Sequence, residues 1–143
     1  MQRTASAVWN GSIREGRGTL TAPSGVLQDT PYSFKMRFED EEGRSGTNPE
    51  ELIAAAHAGC FSMALSGQLG RANFTPEVLN TSATVTLEQK DGGFAITKVH
   101  LVLEATIPGI SEAQFQELAA AAKAGCPVSK VLNAEITLSA TLR

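Results

Sequence analysis

The chain has 143 residues, 42% of them hydrophobic and 19% charged, which excludes a disordered polyelectrolyte and allows one domain with a real core. Fifteen acidic residues against twelve Lys and Arg leave a net charge of -3, a balance that argues against nucleic acid, because phosphate binding rests on clustered cations. No basic stretch followed by an apolar one opens the chain, and the longest apolar run, Leu52 to Leu65, is short for a bilayer, so a cytoplasmic protein without membrane attachment is expected.

The N-terminal part, residues 1–46, reads as β hairpins followed by a loop. Ala7, Trp9 and Ile13 stand among polar neighbours, with turn signals at Asn10-Gly11 and Gly16 to Gly18. Tyr32, Phe34 and Met36 alternate with Ser33, Lys35 and Arg37, which predicts a half-buried strand with Arg37 on its polar face. The acidic, glycine-bearing run Glu39 to Gly46 is a loop. A central helix is predicted over 47–68. Asn48 can cap it, Pro49 suits the first turn, and Glu51 completes a capping box that Thr47 with Glu50 offers one residue earlier. From Leu52 to Leu65 this helix is apolar almost all round, so one sheet cannot cover it and a second layer or a second subunit is implied.

Residues 81–143 supply two strands, a second helix, a helical turn at Cys126 and a last strand. Ala83, Val85 and Leu87 share one face, and Asp91-Gly92-Gly93 turns the chain. The inward parity switches between Phe94 and Ile96 on one side of Lys98 and Val99, Leu101 and Leu103 on the other, which predicts a bulge or a strand buried on both faces. Ser111 with Gln114 caps a helix whose Phe115, Leu118, Ala119 and Ala122 recur at helical spacing, and Gly125 closes it. Ala134, Ile136, Leu138, Ala140 and Leu142 alternate in the last strand. The order predicts a single α+β domain over residues 1–143 with antiparallel strands.

Two cysteines carry the chemical interest. Cys60 lies inside the apolar helix, with His57, Ala56, Ile53, Met63 and Ala64 on its side. It is either an inert core thiol, its pKa raised by burial, or a nucleophile served by a nearby cation. Cys126, between Gly125 and Pro127, falls at the start of the short helix, where free N–H groups favour a thiolate; the plain alternative is a small cap residue. Two such thiols suggest a cycle in which one becomes a sulfenic acid and the other condenses with it to a disulfide. A cation would be needed, with a carboxylate to orient it; Arg37 and Glu50 are candidates, against a solvated charge and a helix cap as their plainer roles. Metal binding would have to draw on His57, Cys60, Cys126 and His100, which lack the paired short spacings of a zinc site, so no metal is expected. No nucleophile elbow, dinucleotide fingerprint or phosphate loop is present.

The segment Asn48-Pro49-Glu50-Glu51-Leu52 through His57-Ala58-Gly59-Cys60-Phe61-Ser62-Met63-Ala64-Leu65 resembles the OsmC/Ohr family of osmotically inducible protein C and organic hydroperoxide resistance proteins. Ala124-Gly125-Cys126-Pro127-Val128-Ser129 resembles the stretch with that family's second cysteine, and weaker matches at Ala7-Val8-Trp9, Arg37-Phe38-Glu39 and Thr106-Ile107-Pro108-Gly109 extend the likeness over the chain. His57 and Arg37-Phe38 favour the OsmC branch.

The resemblance implies an interwoven homodimer, with central helices wrapped by antiparallel β-sheets, that reduces organic hydroperoxides, and hydrogen peroxide more weakly, without a cofactor. It implies Cys60 as the attacking thiol, Cys126 as the resolving one, Glu50 as the carboxylate that orients an arginine, and a dithiol reductant such as lipoyl groups. The arginine matches Arg37 in the OsmC branch and Arg14 or Arg17 in the Ohr branch. The competing expectation is a non-catalytic dimeric module that holds a hydrophobic molecule in its interface cleft.

Overall fold

The computed structural model describes residues 1–143 and divides into two compact units, Met1–Leu52 and Ile53–Arg143. In the first, β1 (Ser6–Asn10), β2 (Arg17–Thr21) and β3 (Thr30–Ser33) form an antiparallel sheet in the order β1-β2-β3. Gly18 pairs with Trp9 and Tyr32, and a Cβ there would lie 2.3 Å from the Val8 carbonyl and 2.5 Å from the Tyr32 ring, so only glycine lets the three strands close up. Ile13, expected in a strand, lies in the turn and is 69% exposed.

The strand predicted through Arg37 stops at Ser33. Residues Phe34–Phe38 form a short helix, α1. Ser33 caps it by accepting from the Met36 N–H at 3.2 Å, and Phe34 and Phe38, one turn apart, bring their ring centroids within 4.8 Å. A capping serine and two aromatics at i and i+4 overrode the period-2 pattern, and Arg37 is therefore a helical residue. In the following loop Asp40 accepts from the backbone N–H groups of Gly43 and Ser45 and from the Ser45 hydroxyl, which together hold its carboxyl below the ordinary range.

Helix α2 (Pro49–Arg71) starts and ends on local signals. Asn48 Oδ1 accepts from the Glu51 N–H at 2.9 Å, while the Glu51 carboxylate accepts from the Thr47 hydroxyl at 2.7 Å. The box between Thr47 and Glu50 does not form, because Glu50 is engaged elsewhere. At the far end Asn73 adopts φ 63°, and the N–H groups of Phe74 and Asn73 return to the carbonyls of Leu69 and Gly70, a left-handed C-terminal stop three residues beyond the predicted 68. With 23 residues α2 is long and apolar enough to cross a bilayer, which corrects the length argument drawn from Leu52 to Leu65. Its buried residues, His57, Phe61, Leu65 and Leu69, make it a core helix.

The second unit is built on β4 (Val78–Lys90), β5 (Gly93–Thr106) and β6 (Glu135–Leu142), with β5 central. β4 and β5 form a long hairpin closed by Asp91 and Gly92, both at positive φ. The register slips between Thr86, opposite Lys98, and Leu87, opposite Ile96, so the bulge lies at Thr97 as the parity switch requires. Beyond it Val99, Leu101, Leu103 and Ala105 are fully buried, whereas Phe94 before it is 61% exposed.

The expectation of antiparallel pairing fails at the last strand: β6 runs parallel to β5, because α3 (Glu112–Gly125) and α4 (Pro127–Val131) carry the chain back before it re-enters the sheet. The sheet is mixed. Phe115, Ala119 and Ala122 of α3 join Phe61, Leu65 and Leu69 of α2 and the inward residues of β5 in one core cluster.

Candidate active site

The four residues singled out from the sequence form two pairs, one in each unit. In the first unit Arg37 grips Glu50 with a fork, Nε to Oε2 at 3.1 Å and Nη2 to Oε1 at 2.6 Å. The guanidinium also lies 5.0 Å above the Phe38 ring. Arg14 is instead placed over Phe34, at 5.4 Å, and Arg17 is a residue of β2. Beside the fork is a cavity of about 270 Å³ whose walls include Trp9, Tyr32, Phe34, Phe38 and Arg37. It offers aromatic surface with one guanidinium, and nothing in the spacing of the sequence announced it, because its walls come from four elements and two loops.

In the second unit the Cys60 and Cys126 sulfurs lie 2.8 Å apart as free thiols, with Cys126 donating. Core packing puts them there. Cys60 precedes Phe61 on α2, and Cys126 sits at the junction of α3 and α4, its N–H bonded to the Ala122 carbonyl and its own carbonyl accepting from Lys130. A disulfide needs a sulfur separation near 2.05 Å, so a shift of under about 1 Å joins the two.

The two sulfurs share their protons unequally. Burial raises the Cys60 thiol, the bond to Cys126 raises it further, and the Val128 N–H offsets this only in part. Burial also opposes ionisation of Cys126, but the bond from Cys60, the N–H groups of Ser129 and Val128 and the Ser129 hydroxyl outweigh it and bring that thiol below its ordinary range. The two thiols titrate as a pair, and once it has lost one proton the remaining one lies between the sulfurs.

Sequence reasoning missed Ser129 and gave His57 no part in this chemistry. His57 is fully buried, and its Nε2 lies 2.8 Å from Ser129 Oγ. The hint in the sequence was spacing: each residue stands three positions from a cysteine on a helix. His100, the other imidazole weighed as a metal ligand, bonds Thr137 at 2.6 Å through Nδ1.

The pattern of the OsmC-like protein family matches residues 40–141. The chain belongs to the OsmC-like family. It is 53% identical over 143 residues, all of this chain and 98% of the relative, to peroxiredoxin OsmC of Escherichia coli strain K12. To organic hydroperoxide resistance protein OhrB of Bacillus subtilis strain 168 it is 31% identical over 134 residues, 92% of this chain and 94% of the relative. The crystal structure of the Bacillus subtilis OhrB superposes with a TM-score of 0.73 at 32% identity, covering 98% of each chain. An OsmC-like protein from Vibrio cholerae, at 17% identity and a TM-score of 0.77, shares the fold.

Proposed function

We propose that Cys60 and Cys126 carry out a peroxidase cycle in which Arg37, held by Glu50, supplies the cation. The chain is a peroxidase of hydroperoxide stress defence, in line with its OsmC and organic hydroperoxide resistance relatives. The observation that carries the residue assignment is the 2.8 Å approach of two free thiols at a helix junction rich in N–H donors.

In the first step the pair, having lost one proton, keeps the other on Cys126, and the Cys60 thiolate attacks the terminal oxygen of the hydroperoxide. An S–O bond forms, the O–O bond breaks, and the alkoxide leaves and takes a proton to become the alcohol. The guanidinium polarises the peroxide, and its fork with Glu50 fixes its orientation. In the second step the Cys126 sulfur displaces hydroxide from the sulfenic acid, giving water and the disulfide. A dithiol, such as a lipoyl group, returns both thiols by exchange. The aromatic cavity beside Arg37 suits the hydrocarbon part of an organic hydroperoxide better than hydrogen peroxide, which has none.

The unit of function is a homodimer. On α2 the residues Ala55, Ala56, Gly59, Met63, Ser66 and Gly67 are exposed, with Met63 at 78%, and so small and apolar a helix face needs a cover that a second copy provides. Sedimentation or scattering at twice the chain mass is the expected result. A reducing compartment, the cytoplasm, suits a cycle that must recover both thiols.

The deciding experiment is the mass of the reduced protein before and after one equivalent of cumene hydroperoxide. A rapid loss of about 2 Da per chain, reversed by a dithiol, is expected for an internal disulfide. Two unmodified thiols would refute the assignment and leave the aromatic cavity as a binding site only.

A further inference from the structure

We infer that Ser129, oriented by His57, is a positioning residue for the resolving thiol: the chain His57 Nε2–H to Ser129 Oγ–H to Cys126 Sγ holds that sulfur as the nucleophile that closes the disulfide. The inference rests on the peroxidase reading above and assigns the control of its second step.

The direction of the hydrogen bonds follows from the burial of His57. Its Nδ1 is sealed from solvent and has no partner, while Nε2 faces Ser129 Oγ at 2.8 Å. A buried N–H without an acceptor is rarer and costlier than a buried lone pair, so the proton belongs on Nε2. Nε2 then donates, Ser129 Oγ accepts, and the hydroxyl hydrogen is free to point at Cys126, where a bond from that hydroxyl acts together with the Ser129 N–H. The opposite tautomer would leave a sealed Nδ1–H unpaired and draw the hydroxyl hydrogen away from sulfur. Burial lowers the pKa of His57, so the imidazole stays neutral and acts by orientation rather than charge.

No other ionisable group competes for this role. From α2 Cys60 faces Cys126 directly, and His57 faces Ser129. On α3 Lys123 is turned to the Ile136 carbonyl at 3.3 Å, and on α4 Lys130 is exposed.

The consequence lies in the second step. The Cys126 thiolate attacks the Cys60 sulfenic sulfur, the S–S bond forms, the S–O bond breaks, and hydroxide takes up the proton that Cys126 released. Cys126 is oxidised and the sulfenic sulfur is reduced, so no further reactant is needed. A thiolate aimed from under 3 Å closes the bond before a second peroxide can overoxidise Cys60.

Two measurements test this. In a Cys60→Ser background Cys126 is the lone thiol, and its ultraviolet thiolate absorbance titrates it alone. Ser129→Ala is expected to move that midpoint upward by about one pH unit and Ser129→Thr to restore it; His57→Phe should move it upward as well. With both cysteines present, disulfide formation after one equivalent of cumene hydroperoxide should slow about tenfold in Ser129→Ala and recover in Ser129→Thr. A Cys126 midpoint indifferent to Ser129→Ala overturns the inference. Failure of the unsubstituted protein to form any disulfide would instead overturn the peroxidase reading, while the Cys126 titration would still decide whether the Ser129 bond exists.

Discussion

The sulfur pair and the ion pair are positioned by different forces. Cys60 and Cys126 are set by the core of the second unit, where Phe61, Leu65 and Leu69 of α2 pack with Phe115, Ala119 and Ala122 of α3 over β5. Cys126 is itself fully buried, and Cys60 is half-buried beside His57 and Phe61, both at 0% exposure. Arg37 and Glu50 are joined across thirteen residues by a charged fork, on a five-residue helix without a buried residue, with Arg37 34% exposed. Apolar packing fixes the two sulfurs, and a charged hydrogen-bond fork with an aromatic floor fixes the guanidinium. The first kind of placement follows from periodicity, whereas the second depends on which loops meet.

Five experiments would break or sharpen that contrast, taken from the largest expected effect downward. Cys60→Ser should abolish hydroperoxide consumption with any dithiol; retained turnover would remove Cys60 from the chemistry and with it the meaning of the sulfur pair. Cys126→Ser should permit a single round and then stall with Cys60 driven to sulfinic acid, visible by mass. If the variant cycles normally, Cys126 is a core residue and no more.

Phe115→Ala should cost about 3–5 kcal/mol in urea unfolding, because a fully buried ring leaves a cavity. The same loss should disturb the sulfur pair and leave the Arg37–Glu50 fork within its own unit intact. Arg37→Ala should lower kcat/KM about a hundredfold, the scale of losing one placed donor to developing charge. Arg37→Lys should rescue little of it, since an ammonium cannot reproduce the fork. Unchanged kinetics would pass the role to Arg14 or Arg17.

The smallest effect concerns pH. The pKa of His57 is lowered by burial from an ordinary 6.5, so the unfolded chain takes up that proton first. Its contribution to stability is complete above about 6.5 and is lost as the pH falls from there toward the folded pKa. Urea midpoints measured on either side of that window should show the acid-side loss, and His57→Gln should flatten it.

The strengths and failures of the sequence reading follow the same division. The helix cap at Asn48, the cap at Ser111, the bulge beside Lys98 and the turn at Asp91-Gly92 were legible, because each depends on a few adjacent residues. Arg37 was misplaced on a strand, since Tyr32, Phe34 and Met36 alternate well and only Ser33 signalled a helix start. The direction of β6 was equally hidden: alternation reports which face is inward and is blind to whether the neighbouring strand runs the same way.

Composition, periodicity and the two cysteine motifs determined the α+β class, the apolar central helix and the presence of one thiol within a helix and another at a helix start, because these follow from local propensity and the spacing of side chains along one element. Only the tertiary structure decided that the two sulfurs meet at 2.8 Å, that Glu50 leaves its capping box for Arg37, and that a buried histidine meets Ser129, three residues beyond Cys126. Those are contacts between residues far apart in the chain, and a contact of that kind exists only after the core has chosen which faces it brings together.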